Sequence, residues 1–537
     1  MKTYMKTIKN VLAIVLLLSI FTSCTKDLDI VPEDDQTVLS EALFANENAY
    51  FEVLAGVYAN FSLTGVDGPG SSNISGLDAG TSQYGRVLLY LQTLSADQMI
   101  WSYENDPGTR EIQRNIWTAQ NPLILGMFSR GHVTIAFANN FLRETTNEKL
   151  AARGVSAETK ANIVTYRAEA RLLRALAYYH LLDIFGKAAL VLEDDPTAGY
   201  LPPQIEGADL FAFIESELIA IEGDLLAPRQ NQHARGDKAV AWMVLAKLYL
   251  NAEVYTGQDK NTECITYCQK IIGGGYSLAS NYEHLFMADN DVSTANNEII
   301  FPFVSDGLLT QNYGPTTVMI NGEVGSLERN GENLGIGQDG WGGALRIRKE
   351  FANLFDGGIF TDDARNTIIS ENRPIDILDI SDKDTGYILE KYSNLTSMGD
   401  TGINQTFADT DFPLFRLGDV YLMYAEAHIR GGAGGTDADA AGYVNALRAR
   451  ANNPQDNLTI SDITLDFILD ERARELHWEA HRRQDLIRFG KFTGGSYNWA
   501  WKGNGSNGIS LPAHLALYPI PNASIASNPN LTQNTGY

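Results

Sequence analysis

Apolar residues recur at helical spacing along much of the chain. Between Val164 and Phe185 the positions Leu172, Leu173, Leu176, Ala177, Leu181, Ile184 and Phe185 follow a 3.6-residue period. Arg167, Glu169, Arg171 and Arg174 are interleaved, and Gly186 stands where a left-handed residue ends a helix. The same pattern predicts helices over 209–226, with Pro228 beyond, over 238–255, closed by Gly257, and over 262–272, closed by Gly273 to Gly275. Trp242, Leu245, Ala246 and Tyr249 have the spacing of a tetratricopeptide first helix. A second pair is expected over 417–430 and 438–451, turned by Gly431, Gly432, Gly434 and Gly435. A further pair is expected from 42–61 with 128–143. The last helix is expected to run from 462 to 489, laced with i,i+3 and i,i+4 charge pairs.

The expected fold class is therefore mostly α, built from helical pairs. Stretches near 62–125, 276–346 and 357–412 interrupt the pairs and are rich in Gly, Asn, Asp, Ser and Thr, so the chain is not a contiguous solenoid. Loops carried on a rigid scaffold are the usual place for binding residues.

Composition narrows the class. Of 537 residues, 44% are hydrophobic, which suits a folded core rather than a disordered chain. Sixty-six acidic against 41 basic side chains give a net charge of −25, which argues against nucleic acid as a partner. Three cysteines rule out a disulfide scaffold, and Cys264 with Cys268, four apart on a helix, read as small buried residues.

The first residues suggest an address. Lys2, Lys6 and Lys9 precede an apolar run from Val11 to Phe21, then Thr22, Ser23 and Cys24. Residues 1–23 read as a signal peptide, too short to span a bilayer, with Cys24 placed for lipid attachment. Residues 24–35 read as an acidic tether, and 36–537 as one domain. No later segment reaches the apolar length of a membrane helix.

Candidate chemistry is sparse. His477 and His481 do not make a zinc helix, because Glu479 sits third rather than second. Gly335 to Gly340 spells G-x-G-x-x-G without the strand and helix a dinucleotide site needs. The loop Asp97 to Gly108 is more informative, with Trp101, Tyr103 and Asn105 among carboxylates. Asp78 and Arg86 lie upstream, Trp341 is flanked by glycines, and Tyr313 occupies a polar loop. Rings can cover the apolar faces of sugars while Asp, Asn and Arg bond the hydroxyl edges. Taken residue by residue, loop tryptophans more often anchor a loop to its own core. Asp289 with Asp291, and Asp409 with Asp411, could serve a hard cation or a glycosidase pair.

Several segments resemble the SusD/RagB family of outer-membrane lipoproteins. They are Arg167 to Leu176 with Phe185-Gly186, Pro413 to Leu417, Glu471 to Leu476, Arg483 to Gly490, and the ending Tyr518 to Pro521 with Asn528 to Asn534. Leu285 to Asp291, Leu248 to Ala252, Val254 to Gly257 and Trp499 to Gly503 resemble its starch-binding branch. The resemblance implies a mostly α fold of four tetratricopeptide-like pairs with a loop-rich glycan face. It implies a lipid anchor at Cys24 on the cell surface and a SusC-like TonB-dependent porin as partner. It also implies capture of starch or malto-oligosaccharide without catalysis or a catalytic cofactor. Carried over residue by residue, it assigns Asp78, Arg86, Trp101, Tyr103, Asn105, Tyr313 and Trp341 to glycan contact. Tyr103 stands where the starch-binding branch has Trp, and the following loop is one residue shorter. The same resemblance points to structural calcium at Asp291, Asp409 and Asp411. The alternatives are another polysaccharide on the same scaffold, a glycoside hydrolase, and a helical-repeat protein-interaction module.

Overall fold

The computed structural model describes residues 40–323, 341–453 and 457–537. The leader, Cys24, the tether and the Gly335–Gly340 motif lie outside the described residues. The chain divides into a unit ending at Ala49, which holds a short helix Ser40–Leu43, and a large unit Tyr50–Tyr537.

Helices build the large unit. The first, α1, is Ala49–Ser62. Next, α2 (Pro122–Glu144) starts on Asn121, whose side chain accepts from Leu123 and Ile124 N–H. Ser156 caps α3 (Ala157–Phe185), and Gly186 at φ +70° ends it. Then follow α4 (Gly207–Ile221), α5 (Lys238–Leu250) capped by Asp237, and α6 (Asn261–Ile272). Later come α7 (Leu417–Ile429), α8 (Asp437–Arg450), α9 (Leu465–Leu476) and α10 (Arg482–Arg488). Helices α2 and α4 pack on α3, α5 on α6, α6 on α7, and α7 on α8. Cys264 and Cys268 are buried free thiols within α6.

Three expectations change. The partner of α2 is chiefly α3 rather than α1, although Asn60 of α1 does donate to the Arg130 carbonyl at 3.3 Å. The 238–255 helix breaks at Asn251, whose side chain donates to the Lys247 carbonyl and accepts from Arg488. The 462–489 helix is two helices, because Trp478 (φ +59°) and Ala480 (φ +61°) are left-handed. That backbone costs roughly 1–2 kcal/mol per residue. It turns Glu479 inward to Arg416 and Lys391, both at 2.6 Å.

Those contacts belong to a buried ionic junction. Arg416 ends the strand Phe412–Arg416 and meets Glu298 (2.9 Å), Glu475 (2.7 Å) and Glu479. Arg450 also pairs with Glu298 and Glu475, and Arg365 joins Asp363, Glu471 and Glu475. Four strands link the interrupting stretches to the scaffold: β1 (Met99–Trp101), β2 (Ile299–Phe303), β3 (Leu345–Ile347) and β4 (Phe412–Arg416). Antiparallel pairs β1–β3 and β2–β4 tie the interrupting stretches to the helices. No helix among the described residues is long and apolar enough to cross a membrane.

Candidate functional site

Strand pairing brings distant loops together. In the β1–β3 register Trp101 faces Leu345, and Ser102 N–H donates to the Ala344 carbonyl. Ala344 N–H closes a turn on the Trp341 carbonyl, and Gly343 at φ +73° supplies the left-handed position that turn requires. Trp341 thereby lies beside Trp101, with ring centroids 6.3 Å apart at 80°. Tyr103 also packs edge-on to Trp101, at 5.2 Å and 69°.

An open cavity of about 610 Å³ has Asp78, Arg86, Trp101, Tyr103, Tyr313 and Trp341 in its lining. The structure thus joins six of the seven residues expected to contact glycan, drawn from two of the stretches that interrupt the helices. A Cβ at Gly80 would lie 3.4 Å from Asp78 Oδ1, 3.4 Å from Arg86 Nη1 and 3.5 Å from Tyr313 Cβ, so these groups converge on one wall. Arg86 sits in the first turn of a helix, Tyr84–Leu89, capped by the Gln83 side chain. Its guanidinium lies 5.2 Å from the Tyr90 ring centre, and its Nε is buried with no hydrogen-bond partner among the described residues. Burial pushes the Tyr90 phenol up, and Arg86 only partly offsets this. Asp78 Oδ1 accepts from Thr81 N–H (2.7 Å) and Thr81 Oγ1 (3.0 Å).

Two of the seven are placed differently from the rest. Trp101 is only 1% exposed, so it forms the floor of the cavity rather than an open stacking face. Its Nε1 donates to Asp106 at 2.9 Å, and Tyr103 and Trp341 cover its ring. Asn105 is exposed and does not line the cavity; Asp106 does. The cause is a tight turn in which Asp106 N–H donates to the Tyr103 carbonyl and Thr109 N–H to the Asp106 carbonyl, aiming the next residue inward. Gln113 and Arg114 hold that turn. Gln113 bonds both backbone groups of Trp101, and Arg114 grips Glu104 through two bonds of 2.7 and 2.6 Å.

Asp106 belongs to the 97–108 loop that the sequence singles out, and only its inward orientation has no local signal. Lys383 carried no sequence signal. It donates to the Tyr103 hydroxyl at 2.7 Å from a loop 280 residues away.

Two of the three aspartates expected to hold calcium have their carboxylates engaged by donors of the protein itself. Asp409 accepts from Gly307 and Ile403 N–H, and Asp411 from Ser305 N–H and His233 Nε2. Among the described residues no cluster of three or more His, Cys, Asp or Glu is arranged to hold a metal. His477 and His481 are likewise turned to different partners, the Arg474 carbonyl and Lys247.

Packing under the floor is tight. A Cβ at Gly322 would lie 2.7 Å from Trp101 Cζ3. Gly322→Ala is expected to displace the indole and cost about 1–3 kcal/mol. Near-ultraviolet circular dichroism and urea unfolding would register both changes; an unaltered aromatic spectrum would mean the floor yields freely.

Comparison with known proteins agrees with this architecture. The family model of the SusD family matches residues 348–537. The starch-binding protein SusD of Bacteroides thetaiotaomicron is 35% identical over 583 residues, covering 100% of both chains. SusD-like protein P25 of Formosa agariphila is 28% identical over 71% of this chain and 75% of its own. Among solved structures, a SusD superfamily protein of Bacteroides thetaiotaomicron superposes with a TM-score of 0.68 at 19% identity, covering 91% of this chain and 99% of that one.

Proposed function

The chain belongs to the SusD family, and from that premise we propose that it is a cell-surface glycan-binding protein whose ligand is an α-glucan such as starch or malto-oligosaccharide. The observation that carries this reading is the convergence of Asp78, Arg86, Tyr103, Tyr313 and Trp341 around one open cavity floored by Trp101. Half-buried rings offer apolar faces to sugar C–H groups, while Arg86 and the carboxylates offer donors and acceptors to hydroxyls. The choice of starch rests on the full-length relative of that name. The same reading has the protein bind the glycan without cleaving it, in keeping with Asp78 and Asp106 holding Thr81 and the Trp101 indole. In the same reading lipid on Cys24 anchors the protein to the outer membrane, and a SusC-like TonB-dependent porin receives the glycan.

Calorimetry of the purified protein with a malto-oligosaccharide tests the ligand. Trp341→Ala is expected to weaken binding at least about tenfold, or ~1.4 kcal/mol, with the unfolding midpoint unchanged. Equal affinity in the variant would remove Trp341 from the site. Preference for a β-linked glucan would replace the proposed ligand, and reducing ends released from starch would overturn the non-enzymatic reading.

A further inference from the structure

Lys383 lies in the last of the three stretches that interrupt the helices, far in sequence from the loop it touches. Its ammonium donates to the Tyr103 hydroxyl at 2.7 Å and lies 4.5 Å from the centre of that ring. The turn that carries it is held to an unusual degree. Arg346, fully buried on β3, donates to the carbonyls of Ile380, Asp382 and Thr385. From the other side Arg373 donates to the carbonyls of Lys383, Thr385 (3.4 Å) and Gly386 (2.6 Å). Two guanidinium groups thus clamp the backbone between 380 and 386. Burial lowers Arg346 to about 10, so it still carries its charge near neutral pH.

The clamp and the cavity share a strand pair. Arg346 faces Ile100 in the β1–β3 register, one residue before Trp101. Displacement of the 380–386 turn would therefore be felt at Tyr103 through Lys383, and at Trp101 through β1. We propose that Lys383 is a positioning residue of the glycan cavity. Carried on the turn clamped by Arg346 and Arg373, it fixes the Tyr103 ring in the tilt that completes the wall beside Trp101. The inference rests on the glycan-binding reading above. A ring held before the ligand arrives loses little freedom on binding, so the gain appears as affinity.

A double-mutant cycle tests it, with the full chain and a malto-oligosaccharide as probe. Lys383→Met removes the ammonium and keeps the length; Tyr103→Phe removes the hydroxyl and keeps the ring. Each is expected to weaken binding about tenfold, and the double variant no more than the worse single one. Lys383→Arg, which keeps a donor, is expected to stay within about threefold of the parent. Independently of any sugar, Lys383→Met is expected to speed amide exchange across residues 102–106 while the global unfolding free energy holds. Additive losses, or unchanged exchange in Lys383→Met, would overturn the proposal. A parent protein that binds no malto-oligosaccharide, with exchange still raised in Lys383→Met, would defeat the ligand reading and leave the positioning role standing.

Discussion

Replacing Arg416 with alanine is expected to destabilise the fold by about 3–5 kcal/mol. The guanidinium is buried and bonds Glu298, Glu475 and Glu479, and its Nη2 also donates to the Glu475 carbonyl at 2.7 Å. Alanine would leave three buried carboxylates with fewer counter-charges than they were folded around. Arg450 and Lys391 would hold part of the junction together, which keeps the expected loss finite. Lysine should rescue little, since one ammonium cannot span three acids with a planar fork. Urea unfolding of the two variants measures the difference. A shift below about 1 kcal/mol for Arg416→Ala would show that the junction repacks and that its charges do not organise the fold.

Acid is expected to unfold the protein steeply between about pH 4 and pH 3. Burial alone would raise Glu475, but Arg450, Arg416 and Arg365 together hold its carboxyl far below the ordinary range. Against the same burial, Arg472 and Arg488 lower Asp485 to about 2, and Lys247 and Arg472 hold Asp419 lower still. Such depressed carboxyls contribute stability that is complete above their unfolded pKa, near 4, and is lost as pH falls below it. Buried histidines add to this. Burial, assisted by Lys247, lowers His180 and His481 to about 3, so the unfolded chain takes up their protons first at any pH below about 6.5.

Between about pH 6.5 and pH 4.5 opposing groups intervene, since burial raises the Asp237, Glu350, Asp411 and Asp470 carboxyls. Burial raises the Glu323 carboxyl well above its ordinary value, so there the folded chain binds the extra proton. Below about pH 4 that offset vanishes, and each remaining site costs about 1.4 kcal/mol per pH unit. Near-ultraviolet circular dichroism across the titration reads the transition. A native aromatic spectrum persisting to about pH 2 would contradict the charge states assigned to the junction.

Much of the scaffold was legible because local rules carry it. Capping residues, closing glycines and apolar periodicity placed most helices near their observed bounds. The errors fell where tertiary contacts outweighed local preference. Asn251 interrupts a good helix former because Arg488 draws on its side chain. Trp478 and Ala480 accept left-handed backbone because Glu479 is needed at Arg416. Periodicity is blind to both, since each depends on a partner far along the chain.

The cavity divides in the same way. Residue types in the 97–108 loop, with Asp78, Arg86, Tyr313 and Trp341, established from sequence that rings and polar groups were available. The resemblance assigned them to one ligand. Which of them face the ligand was decided by β-pairing and turn geometry. Those contacts sank Trp101 beneath Tyr103 and Trp341, aimed Asp106 instead of Asn105 inward, and brought Lys383 against Tyr103. Sequence alone determined the helical class, the acidic charge and the stock of aromatic side chains, because these follow from composition and short-range spacing. The exposure, tilt and partners of each ring belong to the tertiary structure, because they are set by contacts between segments hundreds of residues apart.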